Sequence, residues 1–450
     1  MPVYANLPGT SVEITDQGLR ISRAPSGPKV VLLGFTTSTD SSAEAYVPYA
    51  VSSDSLTSAY RKFRNADETP SELCKALMEC YISGSQNIEL MNILPTASGA
   101  SLGNDDRYGY LEKAYENLFN HDPDIIVPCE AHIDMAVSND GAGFTRNYAY
   151  QLANFCYRAT QNNNTCTGII GVDGPVVSAS GTPTIAEIET WVTTLQEYTN
   201  VPKYDGTTDV NGDLKPDNFA YVATADGHMP ADFAGGDVED QKGNKVDIGS
   251  YISVIAGAVR ANNDAGAALY PTLGYYNSDG ASAYAGLVAN LPAKSAPTNK
   301  VVDGLTMQNQ LSYSQADRLC GSRFVAVFEK PKGVVAASAM TGAYNISDYA
   351  RSDFVRLTTV RIMHDAINLV REACDPFIGE PNNAPQRNAM DAAIESALVT
   401  MRDEGALRRY DFTIYSTPTD QVLGRATIEL TLVPSFELQQ ITVYVALAAE

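Results

Sequence analysis

The chain has 450 residues, room for roughly two to four domains, and its 44% hydrophobic and 19% charged residues exclude a wholly disordered polymer. No run of about 18 apolar residues is present, so no membrane-inserted helix is expected. Lys and Arg number 31 against 53 Asp and Glu, a net charge of −22; such a surface repels phosphate backbones and anionic lipid, so nucleic acid is not an expected direct partner.

The opening residues Met1–Asn6 carry neither a basic segment nor an apolar one, so no secretory leader is expected. Seven cysteines, an odd count without a CxxC pair, suggest reduced thiols. Residues 1–28 are polar and broken by Pro and Gly, with two short alternating stretches around Val12–Ile14 and Leu19–Ile21. They hold too little apolar surface to fold alone and must lie on something else.

Lys29–Gly34 is a continuous apolar run suited to a strand buried on both faces. Helical spacing follows at 54–64 and 70–80, a strand at 87–94, and a short helix at 111–119. Strands at 124–128, 167–172 and 219–224 then alternate with helices at 148–160, 184–198 and 247–262. Ile185, Ile188, Trp191, Val192 and Leu195 form the expected inner stripe of the 184–198 helix. This rhythm predicts an α/β fold, α+β overall, with a largely parallel sheet. Residues 264–300, rich in Gly, Ala, Asn, Pro and Ser, read as loops, and 324–328 resumes the sheet.

The last hundred residues have the clearest patterning. A helix over 353–374 places Phe354, Leu357, Val360, Met363, Ile367, Val370 and Cys374 at spacings of three and four. A second helix over 385–404 starts at a proline and stops at Gly405. A hairpin over 408–433 carries Phe412 and Ile414 on its first strand, and Ala426, Ile428, Leu430 and Leu432 on one face of the second. Past Pro434, Ile441, Val443, Val445 and Leu447 alternate in a strand with no partner nearby in sequence. An unpaired apolar strand is an aggregation hazard, so this one must pair within its own domain or add to a neighbour's sheet. No lysine follows Lys332. The cations of the C-terminal region are arginines, among them Arg356, Arg361, Arg371, Arg402, Arg408 and Arg409, a residue type suited to fork-bonded interface contacts.

Motifs for catalysis are weak. Gly99-Ala100-Ser101-Leu102-Gly103 matches the letters of a nucleophile elbow, but Pro95 ends the preceding strand early and Asn104-Asp105-Asp106 delays the helix. Asp226-Gly227-His228 is the best pairing among only four histidines. Asp209–Leu214 alternates oxygen ligands like a calcium loop, yet lacks the glycine at its sixth position and the glutamate at its twelfth. Cys129 and His132 offer two zinc ligands where four are needed. No catalytic residue, metal ligand or cofactor site is assigned. The alternative to a structural protein is a serine hydrolase using Ser101.

The two ends together resemble the contractile tail sheath family of phages and related injection machines. The resemblance rests on the arm Val3-Tyr4-Ala5-Asn6-Leu7-Pro8-Gly9 leading to Lys29–Gly34 and on Tyr349–Leu357 running into Val360-Arg361-Ile362. It rests also on Phe377-Ile378-Gly379-Glu380-Pro381-Asn382 between two helices, the Gly405-Ala406-Leu407 turn, and the closing Val433-Pro434. It implies a layout of an N-terminal arm (1–28), a first part of the body (29–120), an inserted outer α/β region (121–345), a sheath core of two helices and a hairpin (346–436), and a C-terminal strand arm (437–450). Arm residues Val3, Val12, Ile14, Ile441, Val443, Val445 and Leu447 would then add strands to neighbouring subunits, at an acceptor sheet carrying Phe412, Ile414, Ala426, Ile428, Leu430 and Leu432. Some of Arg356, Arg361, Arg371, Arg408 and Arg409 would touch an acidic tube surface or adjacent subunits, the alternative being pairing within the chain with Asp365, Glu372, Asp403 or Glu404. The resemblance further implies a homo-oligomeric helical sheath of six-fold rings, with tail tube, baseplate and tail terminator proteins as partners, no cofactor, and a place in the virion tail after assembly in the host cytoplasm.

Overall fold

Val30–Gly34 (β1) is apolar and buried at every position, because its side chains alternate between two separate cores. In the computed structural model, which describes residues 27–94, 103–135, 137, 147–162, 164–175, 183–198, 248–257, 259–262, 275–308, 310–343 and 353–438, β1 is central in an eight-stranded sheet. The other strands of this sheet are β2 (Tyr49–Val51), β3 (Ile88–Asn92), β4 (Ile125–Pro128), β5 (Thr167–Gly171), β6 (Ile252–Ala256), β10 (Phe324–Lys330) and β11 (Gly333–Ala336). A small three-stranded sheet is made by β7 (Val259–Asn262), β8 (Tyr275–Ser278) and β9 (Leu305–Met307).

The order is β11-β10-β6-β5-β4-β1-β3-β2, parallel from β10 to β3 and antiparallel at both edges. Helices α1 (Leu56–Phe63) and α2 (Glu72–Ile82) cover one face. Helices α3 (Asn104–Leu118), α4 (Tyr148–Gln161) and α5 (Ile185–Tyr198) cover the other. Helix α6 (Ala281–Asn290) joins the first group and α7 (Tyr313–Gly321) the second. Capping side chains start several of them: Ser71 accepts from the Cys74 amide at α2, and Asn147 from the Ala149 and Tyr150 amides at α4. Gly286 lets α6 lie against α2, since a Cβ there would stand 2.3 Å from the Cys80 carbonyl oxygen.

Several expectations are corrected. Residues 247–262 are not a helix but a 3₁₀ turn followed by β6 and β7. Ile252-Ser253-Val254-Ile255-Ala256 is buried on both faces and therefore shows no period of two. The stretch expected as loops holds β8 and α6, a helix apolar on all sides. Ile185 is 83% exposed, whereas Ile188, Trp191, Val192 and Leu195 are buried as expected. One sheet spans residues on both sides of the boundary expected near residue 120, since β1 pairs with both β3 and β4. The expected strand at 219–224 and the arm residues Val3, Val12, Ile14, Ile441, Val443, Val445 and Leu447 lie outside the described residues, as does Ser101.

Beyond this sheet the chain forms a second, smaller unit with its own core. Helices α8 (Leu357–Cys374) and α9 (Ala384–Asp403) pack together and carry an antiparallel pair, β12 (Leu407–Tyr415) and β13 (Thr427–Pro434), joined through a short helix α10 (Pro418–Val422). Asn383 caps α9 through the Gln386 amide, and Gly405, at φ +82°, ends it in the left-handed conformation.

Between the sheet and α6 lies a buried charged cluster. His132 Nε2 stands 3.3 Å from Asp279 Oδ2, and Ser278 Oγ donates to Glu79 at 2.9 Å. Burial, reinforced by the Asp279 charge, pushes the Glu79 carboxyl up to about 8. Burial opposes the His132 imidazolium, yet the Asp279 carboxylate beside it overrides burial and lifts His132 to about 9. Glu130 and Asp134 beside them are raised by burial as well. In each case the folded chain holds a proton that the unfolded chain releases at lower pH, so stability falls as pH rises from about 4.5 to about 9. Urea unfolding is expected to show this decline, and Glu79→Gln to flatten its lower half and stabilise the protein at pH 8.5 by about 2 kcal/mol or more; a variant with the parent's pH profile would contradict the assignment.

Candidate assembly surface

The C-terminal pair is a sheet of only two strands. Cross-strand neighbours Tyr410 and Leu432, Phe412 and Leu430, and Ile414 and Ile428 face the helices and are half-buried. Asp411, Thr413, Thr427, Glu429 and Thr431 face water. Among the described residues β12 and β13 pair only with each other, so each keeps one open edge. Ala426, expected on the inner face, is exposed and precedes β13: residues 418–426 form α10 and a turn, in which Arg425 N donates to Asp420 O.

A groove of about 360 Å³ lies between β13 and α8, bordered by Phe354, Ile362, Met363, Leu430, Leu432 and Pro434. Phe354 is 41% exposed, and the sheet is too narrow to cover it. An additional strand at the β13 edge would have apolar surface beneath it and unpaired backbone beside it.

The arginines separate into two sets. Arg408 and Arg409, on β12, are exposed and make no ion pair among the described residues. Arg356 stacks its guanidinium over Phe436 at 5.2 Å. Arg361, expected at the surface, is turned inward: it is 8% exposed, its Nη2 donates to the Leu291 carbonyl at 2.6 Å, and burial pulls its pKa down against the nearby Asp365 charge. It belongs to the joint between the two units. The joint also includes the Asn368 Nδ2 to Thr165 Oγ1 bond (2.8 Å) and the bond from Lys294 to the Glu404 carbonyl. Arg371 is half-buried near His364, whose own pKa burial and the Arg371 charge lower to about 4.

The crevice where doubly wound sheets usually hold ligands lies beyond the carboxyl ends of β1 and β4, where the strand order reverses. Here it is filled. Arg107 pairs with Glu72 at 2.8 Å, donates to the Cys129 carbonyl at 2.9 Å and packs over Phe35. Ser101 lies outside the described residues; on its flanks β3 ends at Asn92 and α3 begins at Asn104. All seven cysteines are free, and no cluster of three metal-ligating side chains occurs among the described residues.

No protein-family model and no curated sequence matches the chain. Solved structures do. A chain of the anti-feeding prophage baseplate superposes with a TM-score of 0.58 at 13% identity, covering 98% of this chain and 99% of that one. The anti-feeding prophage helical sheath in its contracted state gives 0.56 at 13% identity, covering 98% and 99%. The contracted sheath of the PVC extracellular contractile injection system gives 0.56 at 13% identity, covering 99% and 98%. This chain has the contractile tail sheath fold. The coverage extends through both units, so the two-stranded sheet and its helices belong to the shared fold along with the body.

Arg361→Gln is expected to lower unfolding stability by about 1–3 kcal/mol, because it removes a buried carbonyl contact and leaves carboxylates nearby. Arg408→Gln with Arg409→Gln should stay within about 0.5 kcal/mol of the parent. Equal losses from both, measured by urea titration, would place Arg361 on the surface after all.

Proposed function

We propose that this chain is the structural subunit of a contractile tail sheath: a helical stack of six-fold rings around a tail tube, whose contraction drives the tube through a target envelope. One observation carries the reading. A chain with the sheath fold over nearly its whole length presents a two-stranded sheet with both edges open among the described residues and an apolar groove beside one of them.

In this reading the arms at 1–28 and 437–450 leave their own subunit. Val3, Val12 and Ile14 from one neighbour, and Ile441, Val443, Val445 and Leu447 from another, lengthen the β12–β13 sheet into a mixed sheet shared between subunits. Backbone ladders depend little on side-chain identity, so they survive rotation of the bodies they connect. Arg408 and Arg409, on the water-facing side, contact the tube or an acidic neighbour, with Arg356 and Arg371 at the margins. Baseplate and terminator proteins meet the two ends of the stack. The extended sheath is a kinetically held state, and contraction releases it through new contacts between bodies. The work comes from stored conformational energy, without nucleotide or catalysis.

The test is electron microscopy of the purified chain at rising concentration, beside a chain ending at Leu438. The full chain is expected to form tubes or stacked rings. The shortened chain should remain a folded particle with an unchanged thermal transition that never polymerises. Rings of equal abundance from the shortened chain would overturn arm exchange.

A further inference from the structure

A second concave site lies at the joint between the sheet and the C-terminal unit. It is a cleft of about 490 Å³ and takes no part in the groove beside β13. Its depth holds two buried groups with nothing to bond. Arg361 Nη1 and His364 Nε2 lack a hydrogen-bond partner among the described residues, although the residues are only 8% and 6% exposed. A buried donor left unpaired destabilises a fold by about 1–3 kcal/mol, so an arrangement that keeps two of them suggests a missing occupant. The charged lining is Asp124, Asp365 and Glu404 against Arg361 and Lys294, an excess of one negative charge. That balance disfavours a free anion and favours an occupant that brings both a cation and backbone polar groups.

The lip of the cleft is formed by Gly27 and Pro28, the first residues described. The sequence immediately before them is Arg20-Ile21-Ser22-Arg23-Ala24-Pro25-Ser26. Arg23 stands four residues from Gly27, a reach of up to about 14 Å when extended, enough to place it inside the cleft. We propose that residues 20–26 of the same chain seat in this cleft, their backbone meeting Arg361 and His364 and the Arg23 guanidinium meeting the Asp124 and Asp365 carboxylates. Attachment through Gly27 keeps this segment at high effective concentration, an advantage that no second copy shares. The segment would thereby anchor the root of the N-terminal arm to the joint between the units. The inference needs only the single chain and stands whether or not the sheath reading holds.

The test places a photoreactive benzoylphenylalanine at Ala24 in the full-length chain, at dilute concentration, in an equimolar mixture of ¹⁴N- and ¹⁵N-labelled protein. Illumination is expected to cross-link position 24 to peptides containing 357–369 or 404–406, with both halves carrying the same isotope. In the same probe chain Arg23→Glu should cut the yield by about three- to fivefold, with the melting transition unchanged. Cross-links elsewhere on the chain, or none, would overturn the proposal. Mixed-isotope products would overturn it in favour of a second copy, and an unchanged yield in the Arg23→Glu chain would remove the charge pairing on which it depends.

Discussion

A two-stranded sheet is the constraint on which the account turns. Two strands alone are marginal in water, and here they are held by packing of Phe412, Ile414, Ile428, Leu430 and Leu432 on α8 and α9. That packing fixes the pair in place while both outer edges remain open among the described residues. Soluble proteins usually blunt such edges. Leaving two of them open, the β13 edge beside a groove lined by Phe354, Ile362 and Met363, makes structural sense if other strands come to complete the sheet.

The large body serves a different purpose. Its parallel strands are covered on both faces, and the Arg107–Glu72 pair occupies the crevice at the carboxyl ends of β1 and β4. It is joined to the C-terminal unit through side-chain bonds and through backbone bonds such as Leu357 N to the Ala339 carbonyl. Leu357 is buried in the body's core, Arg361, Asn368 and Lys294 bond across the joint, Tyr251 stacks on His364, and a cleft opens beside them.

The legible parts of the sequence were those with one wet face. Helices α8 and α9 and the strands of the hairpin each alternate between core and water, and their periodicities gave bounds within a few residues of the structure. The fully buried elements were harder. Strand β6 and helix α6 have no polar face, so neither period emerges, and Ala281–Asn290 read as loop because alanine and glycine dominate it. Arg361 is harder for a different reason: residue type groups it with the interface arginines, whereas its side chain is buried and bonds the Leu291 carbonyl. Ala426 continued an apparent alternation across a turn that Pro418 and Gly424 build. The open edges themselves have no signature in β12 or β13. Their only trace in the sequence was the unpartnered strand pattern at Ile441–Leu447.

Amide hydrogen exchange across Thr427–Pro434 tests the central claim most directly, measured in dispersed chains and again after assembly. Edge amides of β13 that exchange quickly in the dispersed protein and become strongly protected in the polymer are the result expected if neighbouring strands complete this sheet. Protection already complete in the dispersed chain, or unchanged on assembly, would mean that the sheet is finished within one subunit and that the polymer is held together elsewhere.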